Sequence, residues 1–504
     1  MTNKKIKNIS DLRHLFEKDL KNSIILCHGV FELLHIGHIK YFEEAKSMGD
    51  TLVVTLTPDK FVNKGAGRPV FDQNLRSQAI AALECVDYVA INEWPTAVET
   101  IEKIKPKFYV KGPDYKNSGD DITGNIKYEQ HAVEKIGGKI VFTKAETYSS
   151  SNLLNNFFSN FNQEQKLFLN DLKRSFTISE IRGSLDQLRE KKILLVGETI
   201  LDEYIFCDSV GKSGKEPVLV SKKLRTEKFA GGVLSVANHL SDFCNKVKVL
   251  TYLGDRDTQE DFIKENIAKN VELDFIKKHK SPTILKTRYI DDYTKTKVQG
   301  IYDLNDENLN STEEKEFLSK IGSCISEFDV VIVVDYGHGL ITPKAVELLE
   351  NKSEFLAVNT QLNSFNSSFH SISKYNNADY ICVHSGELRH DYRNRNDSID
   401  SLIKKLYKSS NAKFVTITLG NKGAMVFNGE KFVFCPAFSQ KVVDRVGAGD
   451  TLLAITSVCF GNSIDDRITL LLGNLSAAET VATAGTGNRL NKVKLLKTVE
   501  TLLK

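Results

Sequence analysis

Short apolar runs alternate with helical patterns twice along this chain, and a stretch without strand pattern separates the two series. In the first series IILC (24–27), TLVVTL (51–56), VDYVAI (86–91), KFYVKG (107–112) and KIVFTK (139–144) read as strands. IKYFEEAKSMG (39–49), NLRSQAIAALE (74–84) and AVETIEKIK (97–105) read as helices between them. Such alternation implies a parallel sheet with crossover helices. The first unit is expected to end near residue 158. Residues 159–190 are polar, charged and helix-prone, and are expected to form a linker of one or two helices. A second alternation starts at ILLVG (193–197) and runs through KVKVLTYLG (246–254), DVVIVVDYG (329–337), FLAVN (355–359), YICV (380–383) and FVTITLG (414–420). It turns helical from about residue 450. Inside it, 203–230 carries β-branched alternation and turn residues with little helix signal, and reads as a small antiparallel β insertion.

Composition fits this picture. At 504 residues the chain has room for roughly two to four domains. Hydrophobic residues make 41% and charged residues 26%, an ordinary globular balance. The 68 Lys and Arg face 65 Asp and Glu, which leaves no electrostatic footprint for nucleic acid. Eight cysteines (27, 85, 207, 244, 324, 382, 435, 459) are scattered without CxxC spacing or a His/Cys cluster. They read as reduced buried thiols, not disulfides or a zinc site. MTNKKIKNIS has no apolar core behind its charges, and no run approaches the roughly 18–20 apolar residues of a membrane span. A cytoplasmic protein is expected.

Two segments carry chemistry. In CHGVFELLHIGHIKYFEEAK a strand ends at Cys27 and a helix begins near Gly37. His35 and His38, three apart at the mouth of that helix, share a face. The helix start supplies free N–H groups and partial positive charge, and Gly29 and Gly37 allow close approach to the backbone. These parts suit a triphosphate cradle, with the histidines donating to phosphate oxygens as pyrophosphate departs. The pair alone is equally an incidental loop–helix junction, so the context decides.

Gly29-Val30-Phe31-Glu32-Leu33-Leu34-His35-Ile36-Gly37-His38 resembles the GxFDxxHxGH signature of cytidylyltransferase-type nucleotidyltransferases, with Glu32 in the Asp position. Lys64 with GRPVF (67–71), Arg76, KGPDY (111–115) and YSSSN (148–152) resemble further motifs of that family in the same order. The resemblance covers about residues 20–158 and implies a Rossmann-like domain. In it a sugar- or alcohol-phosphate oxygen attacks the α-phosphorus of a nucleoside triphosphate, usually with Mg2+ present. It places His35 and His38 on the phosphates. Gly29, Phe31, Gly37, Lys64, Arg76, Lys111, Ser149, Ser150 and Ser151 fall on the nucleotide side. No protein nucleophile is needed, so positioning and charge stabilisation are the task.

In DRVGAGDTLLAITSVCF, Gly447, Ala448 and Gly449 present consecutive N–H groups at a helix start, suited to a transferring phosphoryl group. Asp450 could take a proton from a substrate hydroxyl, or simply cap the helix. The segment resembles the DTxGAGD signature of ribokinase-like carbohydrate kinases, with the Thr position changed. VGETILDEY, FAGGVLSVAN, VDYGHG (334–339, the family's SDYxKG) and TLGNKG (418–423) resemble further family segments. The resemblance covers about 191–504 and implies a ribokinase-like α/β domain whose β lid is the insertion at 203–230. Asp202, Gly231 and Gly232 would contact sugar. Thr418, Gly420, Gly423, Gly447, Ala448 and Gly449 would contact nucleotide, and Glu387 the metal. A homodimer formed through the lid is implied. Ser235, Asn359 and His384 depart from the family pattern around one cleft. They leave open an altered sugar, weaker phosphate handling or a half that binds without turnover.

The pairing of the two domains resembles bifunctional ADP-heptose synthases of bacterial surface-polysaccharide precursor synthesis, with domain order reversed. It implies a sugar kinase joined to a sugar-phosphate nucleotidyltransferase using ATP. Alternatives are a CTP-using pair making a CDP-sugar or CDP-polyol, and a regulatory sugar-phosphate binder with a degenerate kinase half.

Overall fold

The computed structural model describes residues 2–17, 23–65, 68–115, 123–144, 161–367, 369–439, 441–483, 485, 487 and 489–503. The chain divides into two compact units, residues 1–161 with 496–504, and residues 162–495.

The first unit is built on five strands, β1 (Ile24–Gly29), β2 (Thr51–Leu56), β3 (Tyr88–Ile91), β4 (Phe108–Lys111) and β5 (Lys139–Phe142), in the order β3-β2-β1-β4-β5. All pair in parallel, with Leu26 beside Val53 on one side and Tyr109 on the other. Burial of both faces explains why the central strands read as unbroken apolar runs. Leu26, Val53 and Tyr109 pack against the helices Ile9–Glu17, Val98–Ile104 and Asn125–Lys135. Ile25, Cys27, Val54 and Val110 pack against Ile36–Lys46 and Gln73–Ala81. The helix Ile9–Glu17 was not foreseen; it buries Ile9, Leu12 and Phe16 at one-turn intervals. Strand order reverses between β1 and β4, and their carboxyl ends form the crevice where α/β sheets bind ligands.

In the second unit β6 (Lys192–Gly197) leads into the hairpin β7 (Thr199–Lys212) and β8 (Leu219–Gly232). β9 (Lys246–Arg256) and β10 (Val271–Pro282) return to the main sheet. β11 (Ile284–Asp291) and β12 (Lys297–Asp303) form a second hairpin. β13 (Val330–Asp335), β14 (Leu356–Thr360), β15 (Tyr380–His384), β16 (Phe414–Thr418), β17 (Gly423–Phe427) and β18 (Phe432–Pro436) complete the set. The main sheet has nine strands, β10-β9-β6-β13-β14-β15-β16-β17-β18, antiparallel only at β16-β17-β18. The other four form a separate lid, β12-β11-β7-β8. The lid therefore exceeds the expected insertion at 203–230: β11 pairs in parallel with β7 and brings in 284–303.

The segment 159–190 forms helices Gln163–Ser175 and Ile178–Gln187, each opened by a capping box, Asn162 with Gln165 and Thr177 with Glu180. They bury Leu169, Leu172, Ile181 and Leu185 within the second unit, and Gln165 Nε2 donates to the Ala437 carbonyl at 2.6 Å. All eight cysteines are free thiols, and only Cys85 is not fully buried.

Candidate active sites

At the end of β1 the chain turns through Phe31, held at φ 46°, in the left-handed region. Its ring lies over Gly29, where a Cβ would sit 3.0 Å from it. It meets the His38 ring edge-on at 5.3 Å and Phe42 at 5.0 Å. Gly29 and Phe31 thus form the floor beneath His38. His35 is the residue before the helix Ile36–Lys46, extended, and makes no side-chain cap. Its ring stacks on His38 at 3.9 Å and 21°. Gly37 is buried between them in sequence, in the first turn. Burial, with some repulsion from His35 and Lys64, pushes His38 down to about 3, against a hydrogen bond to the Leu33 backbone. Burial lowers His35 as well. Both rings are neutral at pH 7.

Glu32 is fully buried and organises the basic loop. It pairs with Lys64 at 3.5 Å and Arg68 at 3.0 Å, and accepts the Val70 N–H at 2.9 Å. Burial would raise its pKa, but these partners hold the carboxyl below the usual range. Arg76 is buried and spent on fixing backbone: Nε donates to the Phe71 carbonyl and Nη2 to the Thr57 carbonyl, both at 3.0 Å, with Val30 O and Asp59 also engaged. Lys111, also buried, pairs with Glu129 at 3.0 Å. Beside it His28 hydrogen-bonds with Thr55 at 2.9 Å and Thr57 at 3.3 Å, and burial pushes it down to about 4. Arg68, His28 and Glu129 were not singled out from sequence. Arg68 alone gave a signal, as the Arg of the GRPVF run. Ser149, Ser150 and Ser151 lie outside the described residues.

In the second unit Gly447 at φ 82° opens the helix Ala448–Gly461, and Asp450 sits buried in its first turn. Burial pushes its carboxyl up to about 6; Tyr336 and Lys286 oppose this and Asp202 adds to it. Lys286 lies in the same cluster, 5.8 Å from the Tyr336 ring centroid. Asp202, on β7, pairs with Arg288 on β11. A Cβ at Gly231 would lie 2.3 Å from Asp202 Oδ2, and one at Gly232, where φ is 59°, 2.5 Å from the Glu198 carbonyl. The paired glycines therefore make room first for the Asp202 carboxylate and the turn beneath it. Glu198 accepts the N–H groups of Tyr336 at 3.0 Å and His338 at 3.1 Å, which fixes the VDYGHG loop.

Lys286 is the feature that sequence reasoning missed. It lies on β11 opposite Asp202 and two residues from Arg288, so both side chains face the same way. It is 93% buried, as the complement of its 7% exposure, and its ammonium makes no hydrogen bond or ion pair among the described residues. It lies 5.6 Å from the Tyr302 ring centroid and 5.8 Å from that of Tyr336. Burial lowers its pKa most, while Asp202 supports its charge. His338 is fully buried near it, with both ring nitrogens lacking a hydrogen-bond partner among the described residues.

Thr418 ends β16 and the turn Gly420–Lys422 follows. Gly420 has nothing within 4 Å of a built Cβ, whereas at Gly423 the Cys435 carbonyl would be 2.1 Å away. Gly420 faces open space, and Gly423 serves sheet packing. Glu387 accepts the Leu362 N–H at 3.1 Å and the His384 N–H at 2.7 Å. Burial pushes it up to about 7, with Asp450 contributing. The three departures each have a local partner. Ser235 hydrogen-bonds with His239 at 3.3 Å, Asn359 donates to the Cys382 carbonyl at 2.6 Å, and His384 accepts the Gly386 N–H at 3.1 Å.

Residues 190–493 match the family described as pfkB family carbohydrate kinase, and residues 26–156 match the cytidylyltransferase-like family. The bifunctional protein HldE of Campylobacter jejuni (strain RM1221) is 28% identical over 301 residues, 59% of this chain and 62% of that relative. The bifunctional protein HldE of Geobacter metallireducens is 37% identical over 165 residues, 32% of each chain. The chain thus matches less than two thirds of the length of either relative. The crystal structure of phosphofructokinase-2 from Escherichia coli in complex with potassium shares the fold of the larger unit, with TM-score 0.52, 14% identity and coverage of 62% of this chain and 100% of that one. With the kinase match spanning more than half its length, the chain belongs to the pfkB family of carbohydrate kinases and carries a cytidylyltransferase-like domain ahead of the kinase domain.

Proposed function

We propose that the protein is a two-site enzyme that makes a nucleotide-activated sugar of the ADP-heptose type for bacterial surface polysaccharide. The carrying observation is that each unit sets reactive side chains at a helix N-terminus, at the end of a parallel sheet: stacked His35 and His38 in one, Asp450 in the other. In the kinase site Asp450 takes the proton from a sugar hydroxyl, whose oxygen attacks the γ-phosphorus of ATP while the bond to ADP breaks. The N–H groups of Gly447, Ala448 and Gly449 hold the charge that develops on the phosphoryl oxygens. Asp202 orients the sugar, and Lys286 with Arg288 receives a phosphate the sugar already carries. A largely buried lysine whose ammonium makes no hydrogen bond or ion pair among the described residues has a strong need for such an anion.

In the transferase site an oxygen of a sugar 1-phosphate attacks the α-phosphorus of a nucleoside triphosphate and pyrophosphate leaves. His35, His38, Lys64 and Arg68 receive the phosphates, the neutral imidazoles donating through a ring N–H. We assign Arg76 and Lys111 to positioning, because their donors are engaged inside the fold. The base is adenine in this reading. The cytidylyltransferase-like match favours CTP as the second possibility.

Glu387 suits a divalent cation: its oxygens are fixed by two backbone N–H groups, and its charge is disfavoured beside Asp450. With four lone-pair directions it can still ligate. Mg2+ arriving with the nucleotide would neutralise phosphate charge there. A regulatory half is less well supported, because Ser235, Asn359 and His384 each serve local structure and leave Asp450 and its turn intact. No helix among the described residues is long and apolar enough to cross a membrane, which agrees with cytoplasmic work on soluble substrates. The lid exposes Val210, Leu219, Val220, Leu224, Val298 and Ile301, apolar side chains suited to cover by a second copy and hence to a homodimer.

The test pairs two substitutions. Asp450→Asn should lower ATP-dependent sugar phosphorylation by about 10²–10⁴-fold while sparing pyrophosphate release from a supplied sugar 1-phosphate. His38→Ala should do the reverse, at about 10²–10³-fold. If either variant, still folded, silences both activities, the two-site reading is wrong.

A further inference from the structure

Asp444 stands three residues before the left-handed Gly447 and is almost fully buried. Its Oδ2 accepts the Tyr204 hydroxyl at 2.7 Å, and its Oδ1 pairs with the Lys297 ammonium at 2.7 Å. Tyr204 belongs to β7 and Lys297 opens β12, so one carboxylate grips two lid strands with β11 between them. Its remaining contacts are on the other side. The Val446 N–H donates to Oδ1 at 3.2 Å and the Gly485 N–H to Oδ2 at 3.4 Å. The Val443 and Asp444 N–H groups both donate to the Val481 carbonyl, which ends the helix Asp466–Val481.

The surrounding lid surface lands on the same place. The Tyr204 ring has the Lys297 ammonium 5.3 Å and the Arg288 guanidinium 5.7 Å from its centroid, and Phe229 edge-on at 5.6 Å. Phe229 in turn presses on Gly485 and Gly487, where built Cβ atoms would lie 2.5 and 2.7 Å from its ring. Asp202 and Tyr204 are two apart on β7 and so share a face. The groups assigned to sugar (Asp202, Lys286, Arg288) and those that grip Asp444 (Tyr204, Lys297) therefore ride on one small sheet.

We propose that Asp444 is a positioning residue that couples the seating of the sugar lid to the shape of the Gly447–Asp450 turn. This rests on the kinase reading above. A sugar phosphate that draws β7 and β11 down also delivers Tyr204 and Lys297 to Asp444. The carboxylate then fixes Val446, and with it the N–H groups of the phosphoryl-holding turn. Before that the turn is less well formed, which protects ATP from transfer to water.

The experiment uses the full chain and the variants Lys297→Met, Lys297→Arg, Tyr204→Phe, Asp444→Asn and the double Lys297→Met/Asp444→Asn. Sugar-dependent phosphorylation, sugar-independent ATP hydrolysis and backbone hydrogen exchange over 284–303 and 444–450 are measured for each. Lys297→Met, Tyr204→Phe and Asp444→Asn should each lower the ratio of sugar phosphorylation to ATP hydrolysis roughly tenfold, with the double no worse than the poorer single. Faster exchange at 444–450 should follow from the distant lid changes, and Lys297→Arg should restore both readouts. Fully additive losses, or lid variants whose exchange at 444–450 stays at the parent rate, overturn the coupling. A parent chain that phosphorylates no sugar phosphate would defeat the kinase reading. The exchange data would still decide the coupling in that case.

Discussion

The two sites use the same backbone device and fill it with opposite side chains. At the first helix start stand two stacked imidazoles that burial keeps neutral, and the cations around them are already held, Lys64 and Arg68 by Glu32 and Lys111 by Glu129. At the second stands a carboxylate pushed up to about 6, with Lys286 among the groups acting on it, an ammonium that makes no hydrogen bond or ion pair among the described residues. The difference follows from the chemistry proposed for each. Displacement of pyrophosphate by an existing phosphate oxygen needs donors and no base, so pre-paired cations and neutral rings suffice. Transfer from ATP to a hydroxyl needs a proton acceptor near neutrality and a grip on the rest of the sugar. The cations of the first site are thus paired before substrate arrives, although His38 Nδ1 has no hydrogen-bond partner among the described residues, whereas the second site keeps a cation ready for an anion.

The contrast predicts opposite stability responses to removing a cation. Arg76→Ala should destabilise the first unit by about 3–5 kcal/mol, because it leaves buried carbonyls and Asp59 without their donor. Lys286→Met should stabilise the second unit by about 1–3 kcal/mol, since it removes a largely buried charge that no hydrogen bond or ion pair holds among the described residues. It should also raise KM for the sugar phosphate well above the parent value while leaving KM for ATP alone. Thermal and urea unfolding, followed unit by unit, read both. A loss of stability on Lys286→Met would mean that its charge is already compensated, and the contrast would fail.

Acid separates the units in a second way. His28 and His38 are pushed down to about 4 and about 3 from 6.5. The unfolded chain therefore gains protons first as pH falls below 6.5, and the first unit should lose up to about 1.4 kcal/mol per pH unit for each of them. In the second unit Asp450, Glu387 and Glu198, pushed up to about 6, 7 and 7, take protons when folded before they do when unfolded. That stabilises on acidification and opposes His239 and His338, which sit at about 4 and about 3. The second unit should have the flatter profile. Hydrogen exchange of β1 against β13 at about pH 7 and about pH 5 compares them, and equal losses would contradict the assignment. Sugar phosphorylation should also fall on the acid side of about 6 as Asp450 takes a proton, a limb that pyrophosphate release should lack.

What could be read in advance follows the same physics. Both sheets were legible because strands buried on two faces leave long apolar runs, and both helix starts because ordered family motifs around them decided what each glycine turn alone left open. The hairpin β11–β12 was not. In ILKTRYID the two middle positions of one face are cations, Lys286 and Arg288 between Ile284 and Ile290, so the apolar alternation that marks a strand is broken by the residues that matter. Gly231 was read as room for a sugar, while the nearest atom to a side chain there is Asp202 Oδ2. Arg76 stood in a family motif and suggested nucleotide, yet its guanidinium ties three backbone carbonyls. A one-dimensional pattern shows that a residue is constrained; it does not show whether the constraint faces a ligand or the fold.

The smallest effect expected is at Lys64, and it sharpens the idea that the cations of the first site are already paired. Its side chain is 25% exposed and its pairing with Glu32 is long, whereas Glu32 keeps Arg68 and the Val70 N–H when Lys64 is removed. The loop should therefore hold its place in Lys64→Met, and only one phosphate-facing charge is lost. KM for the nucleoside triphosphate should rise by roughly three- to fivefold with kcat unchanged, because the long pairing is the weakest of the Glu32 contacts and its loss leaves the other two in place. The effect should shrink further in high salt, where a charge at the rim is screened within about 8 Å. Glu32→Gln should do more than Lys64→Met, since it releases Arg68 and Val70 together with the lysine. If Lys64→Met instead lowers kcat and leaves KM untouched, the lysine acts in the transition state, and the first site would resemble the second in keeping a group in reserve for chemistry.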